Sequence, residues 1–280
     1  MTAPGAGDVL ERLVHVEHVM GMPVSIHVRG PGARTDPDVE RAVRRAVAEL
    51  HRVDERFSTY RPDSAVSRIR RGGLDLADAP GDVREVARLC EVARDRTEGW
   101  FSGWLPDGPR GPRLFEPTGL VKGWAVENVC RRLSGALPAH DVLVDAGGDV
   151  ALACRRTDTP AWSVGIEDPR DRRRLLAALE LRSGGVATSG VAARGAHVLD
   201  PRTGEPGGTG LLAVTVVGPD LLWADVDATA AFARGAGCET WLADLPDTTA
   251  LIVPVSGDPR TVRGRAVPRS ADVTATSSGG

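Results

Sequence analysis

One lysine, one tyrosine, one asparagine and no glutamine occur in the 280 residues of this chain. Of its 35 basic residues, 34 are arginine, and 38 acidic residues bring the formal net charge to −3. That balance excludes a strongly basic nucleic-acid binder while leaving room for a local basic site. No apolar run approaches the roughly 20 residues of a membrane-spanning helix. Residues 1–8 carry no basic region and no apolar segment follows them, so no secretory signal is expected and the chain reads as cytoplasmic. Cys90, Cys130, Cys154 and Cys238 form no CxxC pair, so they read as buried thiols rather than a disulfide framework or a zinc site. With 41% hydrophobic and 26% charged residues, the chain has the composition of an ordinary globular protein, long enough to bury a large core.

The scarcity of lysine gives Lys122 weight. A composition that replaces Lys by Arg wherever any cation serves keeps a Lys where a compact charge on a thin stem is needed, although chance survival is the plain alternative.

Hydrophobic periodicity outlines the elements. Residues 13–28 read as a strand pair or one bent strand, with Gly21 and Pro23 at the bend. Helical spacing predicts helices over 38–53, 83–97, 119–133 and 222–234, the second closed by Gly99 as a C-terminal cap. The proline-rich stretch 106–117 reads as loop. Strands are expected at 142–144, 150–153, 162–166, 175–181, 212–217 and 250–255. With helices concentrated in the first half and a mixed sheet in the second, the class is α+β. One domain is expected over 13–257, between a flexible N-terminus (1–12) and a frayed or disordered tail (258–280).

Four spots carry candidate chemistry. Asp225 and Thr229 stand four apart on a helix and share a face, which offers two hard oxygen donors to Mg²⁺; Asp227 should point elsewhere. The alternative is a capping or solvated pair. Lys122 lies early in a helix between Gly119 and Gly123, where an anion would suit it. The run 145–149 (DAGGD) reads as a hairpin turn or as a glycine loop offering N–H groups to an anion. His197, beside Arg194, Asp200 and a DPRTG turn, is a candidate proton-transfer group. Tyr60 sits in a polar run and is not expected in the core.

In this order, Met20-Gly21-Met22, Phe57-Ser58-Thr59-Tyr60 with Asp63-Ser64, Gly119-Leu120-Val121-Lys122-Gly123, 144–149 (VDAGGD), 162–169 (WSVGIEDP), Thr188-Ser189-Gly190, 197–204 (HVLDPRTG), and Ala224-Asp225 with Thr229 resemble the ApbE family of FAD:protein FMN transferases. The resemblance implies an ApbE-like fold that binds FAD as substrate, holds Mg²⁺ on its pyrophosphate, and moves FMN to a Thr or Ser of an acceptor flavoprotein with release of AMP. It implies Asp225, Thr229 and the Gly119 carbonyl as metal ligands. Met20, Tyr60, Trp100, Phe101, Ser102, Glu116, Lys122, His197 and Val198 fall at FAD-contact positions, and Asp225 or His197 would be the general base. Glu116 stands where the family commonly has Asp. The chain reads Gly99-Trp100-Phe101-Ser102 where the family often has Gly-Ala-Phe-Asp, and Arg70 replaces a common Asn, so any role of an Asp at 102 is lost. FAD pyrophosphatase activity and non-catalytic FAD binding are the alternative readings.

Overall fold

A computed structural model describes residues 10–106, 111–191 and 198–266. The chain opens with β1 (Arg12–Val19) and β2 (Met22–Arg29), then α1 (Pro37–Phe57), α2 (Ala65–Arg70) and α3 (Gly81–Arg96). There follow β3 (Trp104–Pro106), β4 (Arg113–Phe115), α4 (Thr118–Ala136), β5 (Asp141–Ala146), β6 (Asp149–Ala153), β7 (Trp162–Asp168), β8 (Asp171–Leu181) and β9 (Ser183–Gly190). β10 (Leu211–Gly218), α5 (Leu221–Arg234), α6 (Cys238–Asp244), β11 (Thr249–Pro254) and β12 (Arg260–Arg263) complete it. Among the described residues no helix is long and apolar enough to cross a membrane.

Eight strands form one sheet in the order β1-β2-β5-β6-β9-β10-β11-β12. Every pairing in it is antiparallel, so the expected mixed sheet is corrected to an antiparallel one. Sheets with a helical layer on one face accept antiparallel neighbours without a crossover between parallel strands.

Strand alternation sorts the two faces. Val24, Ile26, Val28, Val142, Val144, Val214, Val216 and Ile252 point into the main core with the apolar stripes of α1, α4 and α5. On the other face Leu143, Val150, Leu152 and Val186 pack against Trp162 and Val164 of the separate β7–β8 hairpin.

Local chemistry explains the element ends. Asp36 caps α1 by accepting from the Asp38 N–H, and Pro37 enters at its first turn. Asp220 caps α5 by accepting from the Trp223 N–H at 2.9 Å, so neither Asp225 nor Thr229 is the cap. The bend expected near Gly21 is a two-residue turn, Met20 (φ 54°) and Gly21 (φ 72°), which resolves 13–28 into a strand pair. At the end of α3 both Glu98 (φ 54°) and Gly99 (φ 82°) are left-handed, and the Gly99 N–H reaches back to the Arg94 carbonyl at 2.8 Å.

Three expectations are corrected. The stretch expected as loop, 106–117, contains β4, which pairs with β3 at its start from Trp104–Phe115 to Pro106–Arg113. β9 lies where only a polar motif was expected; its glycines deny it an alternating pattern, and it is held by partners on both edges. Part of the expected frayed tail is ordered, since β12 pairs with β11 from Thr249–Arg263 to Ile252–Arg260. The remainder of that tail (267–280) and residues 1–9 lie outside the described residues. All four cysteines are free thiols, and burial pushes the Cys90 thiol up to about 12.

Candidate active site

The site lies where the β1–β2 turn and the β5–β6 turn come together at one end of the sheet. A cavity of about 1560 Å³ opens there, lined by residues from Leu10 to Thr229. That is larger than the ~300–1,000 Å³ of common small-molecule sites.

α5 supplies the acidic face. Asp225 is 3% exposed, and its Oδ2 is buried without a hydrogen-bond partner. Thr229, one turn on, has its Oγ1 3.1 Å from Ser189 Oγ of β9. Asp227 turns away, as expected, into a two-pronged pair with Arg96 at 2.9 and 2.7 Å.

α4 supplies the cation. Lys122 sits past the first turn of a helix beginning at Thr118, so its counter-charge is not read from the helix end. Its Nζ pairs with Asp149 of β6 and stands 3.6 Å from Asp225 Oδ1. Gly123 lets α4 and α5 close on each other, because a Cβ there would lie 3.0 Å from Asp225 Cβ and Oδ2. Gly119 gives similar access to the Phe101 ring, 3.3 Å from where its Cβ would be.

The charge balance is unusual. Burial pushes Asp225 up to about 7; Lys122 opposes the shift and Asp149 adds to it. Asp149 is anchored from behind, its Oδ1 accepting the Thr188 N–H at 3.0 Å. One lysine therefore faces two buried carboxylates, one on strand β6 and one on helix α5.

The positions expected to contact flavin lie around this centre, except His197. Met20 forms the β1–β2 turn, and Tyr60 stands at the mouth with 96% of its surface exposed. Glu116 accepts from Arg70 and from the Thr118 hydroxyl, each at 2.6 Å. The two departures at 70 and 116 thus meet as one ion pair. Phe101 is buried, and Ser102 Oγ is engaged by the Trp104 backbone at 2.9 and 3.0 Å. Trp100 carries the Arg202 guanidinium 3.5 Å from its ring centre. Val198 is buried on the cavity wall. His197 lies outside the described residues, and its expected neighbour Asp200 pairs with Arg202 at 2.7 Å.

The run 145–149 is a hairpin turn, with Gly147 at φ 65° and Gly148 at φ 97°. The Gly148 N–H is taken by Asp145 Oδ1 at 2.8 Å, so it is not offered to an anion. Asp149, Ser189 and Arg70 were missed as site residues. A lone, half-buried lysine calls for a carboxylate, and Asp149 closes the most conspicuous acidic turn of the sequence, so that signal was readable.

Among the described residues no group of three or more His, Cys, Asp and Glu side chains is placed to hold a metal ion. A cation here would take mixed oxygen donors, and the residues fit one: a buried, unpartnered carboxylate oxygen, a hydroxyl one turn away, and a glycine that keeps the space clear.

The ApbE family model matches residues 20–103 and 115–252. A FAD:protein FMN transferase of Haemophilus influenzae is 30% identical, over 67% of this chain and 71% of its own length. One from Vibrio cholerae is 25% identical over 75% of this chain and 81% of its own. The fold matches the crystal structure of an ApbE protein from Thermotoga maritima with TM-score 0.77, at 20% identity over 90% of this chain and 97% of that one. It matches the apo flavinyl transferase ApbE of Pseudomonas stutzeri with TM-score 0.75, at 23% identity over 91% and 95%. With its α+β fold and its ordered motifs, the chain belongs to the ApbE family.

Proposed function

We propose that this chain transfers FMN from FAD to a Thr or Ser hydroxyl of an acceptor flavoprotein, in a Mg²⁺-dependent reaction that releases AMP. The observation that carries the reading is the buried Asp225, whose Oδ2 has no hydrogen-bond partner and whose Oδ1 stands 3.6 Å from Lys122 Nζ, on the wall of a cavity of about 1560 Å³. The names of the relatives, FAD:protein FMN transferases, support the same chemistry.

Asp225, Thr229 and the Gly119 carbonyl would hold the Mg²⁺, which when bound supplies positive charge against the diphosphate. Lys122 adds a second, fixed cation, and Asp149 keeps its stem directed into the cavity. Met20, Tyr60, Trp100, Phe101, Ser102, Glu116 and Val198 line the same space and orient the FAD. The acceptor oxygen attacks the FMN phosphorus, the bond to the AMP oxygen breaks, and the hydroxyl proton leaves to a base. Phosphoryl transfer needs positioning and charge neutralisation more than covalent help, which suits a site of this composition. Asp225 and His197 remain the two candidate bases.

The test is incubation of the full chain with FAD, Mg²⁺ and a flavoprotein presenting a Thr. FMN covalently on the acceptor is the expected product. Free FMN plus AMP would make the chain a pyrophosphatase, and unchanged FAD a binding protein.

A further inference from the structure

Asp225 and Asp227 lie on one helix and serve different masters. Asp227 is fully buried outside the cavity lining and grips Arg96, the last residue of α3, through both carboxylate oxygens. The next residue, Thr97, accepts the Phe101 N–H on its hydroxyl at 2.9 Å, which ties the Arg96 end of α3 to the 100–102 wall. The Phe101 ring lies against Gly119 of α4, and Gly123 of α4 lies against Asp225 of α5. These contacts close a ring: α5 to α3, to the wall, to α4 and back to α5. Gly119 and Asp225, two of the groups assigned above to the cation, are both on that ring.

We propose that the Arg96–Asp227 pair is a positioning device that fixes the separation and rotation of α4 and α5 at the cation site. The inference rests on the metal reading above. Its logic is that of a supporting shell: donors hold a cation well only when their own carriers cannot turn, and losing such support commonly costs 10–100-fold in metal affinity. Removing Asp227 leaves Arg96 without its carboxylate and breaks the α3–α5 link of that ring, while the buried apolar residues of α5 keep it packed in the core. The Asp220 cap and the Glu127 Oε2 bond to the Leu221 N–H, 2.9 Å, remain at its first turn to keep the helix folded.

The experiment is a Mn²⁺ titration followed by electron paramagnetic resonance, on the full chain without FAD, alongside thermal melts by circular dichroism. Asp227→Asn should bind Mn²⁺ about tenfold more weakly, and Arg96→Lys, which keeps the charge but loses the fork, should fall between it and wild type. Leu242→Ala is the stability-matched control: Leu242 is buried in α6, which contributes nothing to the cavity. It should lower the melting temperature and leave Mn²⁺ affinity unchanged. Equal Mn²⁺ affinity in wild type and Asp227→Asn overturns the positioning role alone, as does the same loss in Leu242→Ala. Absence of Mn²⁺ binding in wild type overturns the metal reading itself.

Discussion

Lys122 and Asp149 form an ion pair between α4 and β6, with the Asp149 side chain 3% exposed and the lysine 24%. It is the contact that turns a lone lysine into part of a site. Breaking one partner of a buried pair leaves an uncompensated charge, which costs about 3–5 kcal/mol. Lys122→Met should therefore lower the melting temperature by several degrees and abolish FAD affinity, measured by flavin fluorescence. Lys122→Arg should restore stability only in part, because a broad planar fork does not replace a compact ammonium set against two carboxylates.

Gly123→Ala separates helix stability from site integrity. Alanine favours helix over glycine by about 0.8–1.0 kcal/mol. Its methyl would nonetheless stand 3.0 Å from Asp225. Full helicity by circular dichroism with at least tenfold weaker Mn²⁺ binding is the expected outcome. Unchanged Mn²⁺ binding would show that α4 and α5 have slack.

The raised Asp225 carboxyl sets a pH signature. Its folded value, about 7, lies above the ordinary 3.8, so the native state holds a proton that the unfolded chain releases first. Its contribution to the stability of the metal-free protein is full below about 4 and is lost as pH rises through about 7. Asp225→Asn should remove that downward slope between pH 4 and 7 in metal-free melts. Divalent binding requires the ionised form, so wild-type Mn²⁺ affinity should climb over the same window. A flat profile in both measurements would contradict the assignment.

Tyr60 offers the opposite dissociation. With 96% of its surface exposed it supports little of the fold, and Tyr60→Ser should change stability by less than about 0.5 kcal/mol. FAD affinity should fall by tenfold or more, read as a higher KM for FAD. A variant with normal FAD affinity would remove Tyr60 from the flavin site.

Much of this was legible because it is local. The spacing of Asp225 and Thr229 placed them on one face, and the same arithmetic sent Asp227 to another. Amphipathic stripes marked α1 and α3, and DAGGD marked a turn. What the sequence hid depends on partners far along the chain. β9 is rich in glycine and becomes a strand only between β6 and β10. β12 is charged and ordered by an edge of the sheet. Arg70 and Glu116, 46 positions apart, looked like two separate departures until they met. Ser189 reaches Thr229 across 40 positions, and no periodicity encodes such a meeting.

In the large sheet the strands follow one another in chain order, and the β2–β5 pairing joins β1 and β2 of the first half to β5 and the later strands of the second. The cavity is lined from both sides of that seam, so neither half alone carries it. A ligand held tightly there would bridge the two sides of the seam and should guard them together, raising heat and protease resistance in a single cooperative step.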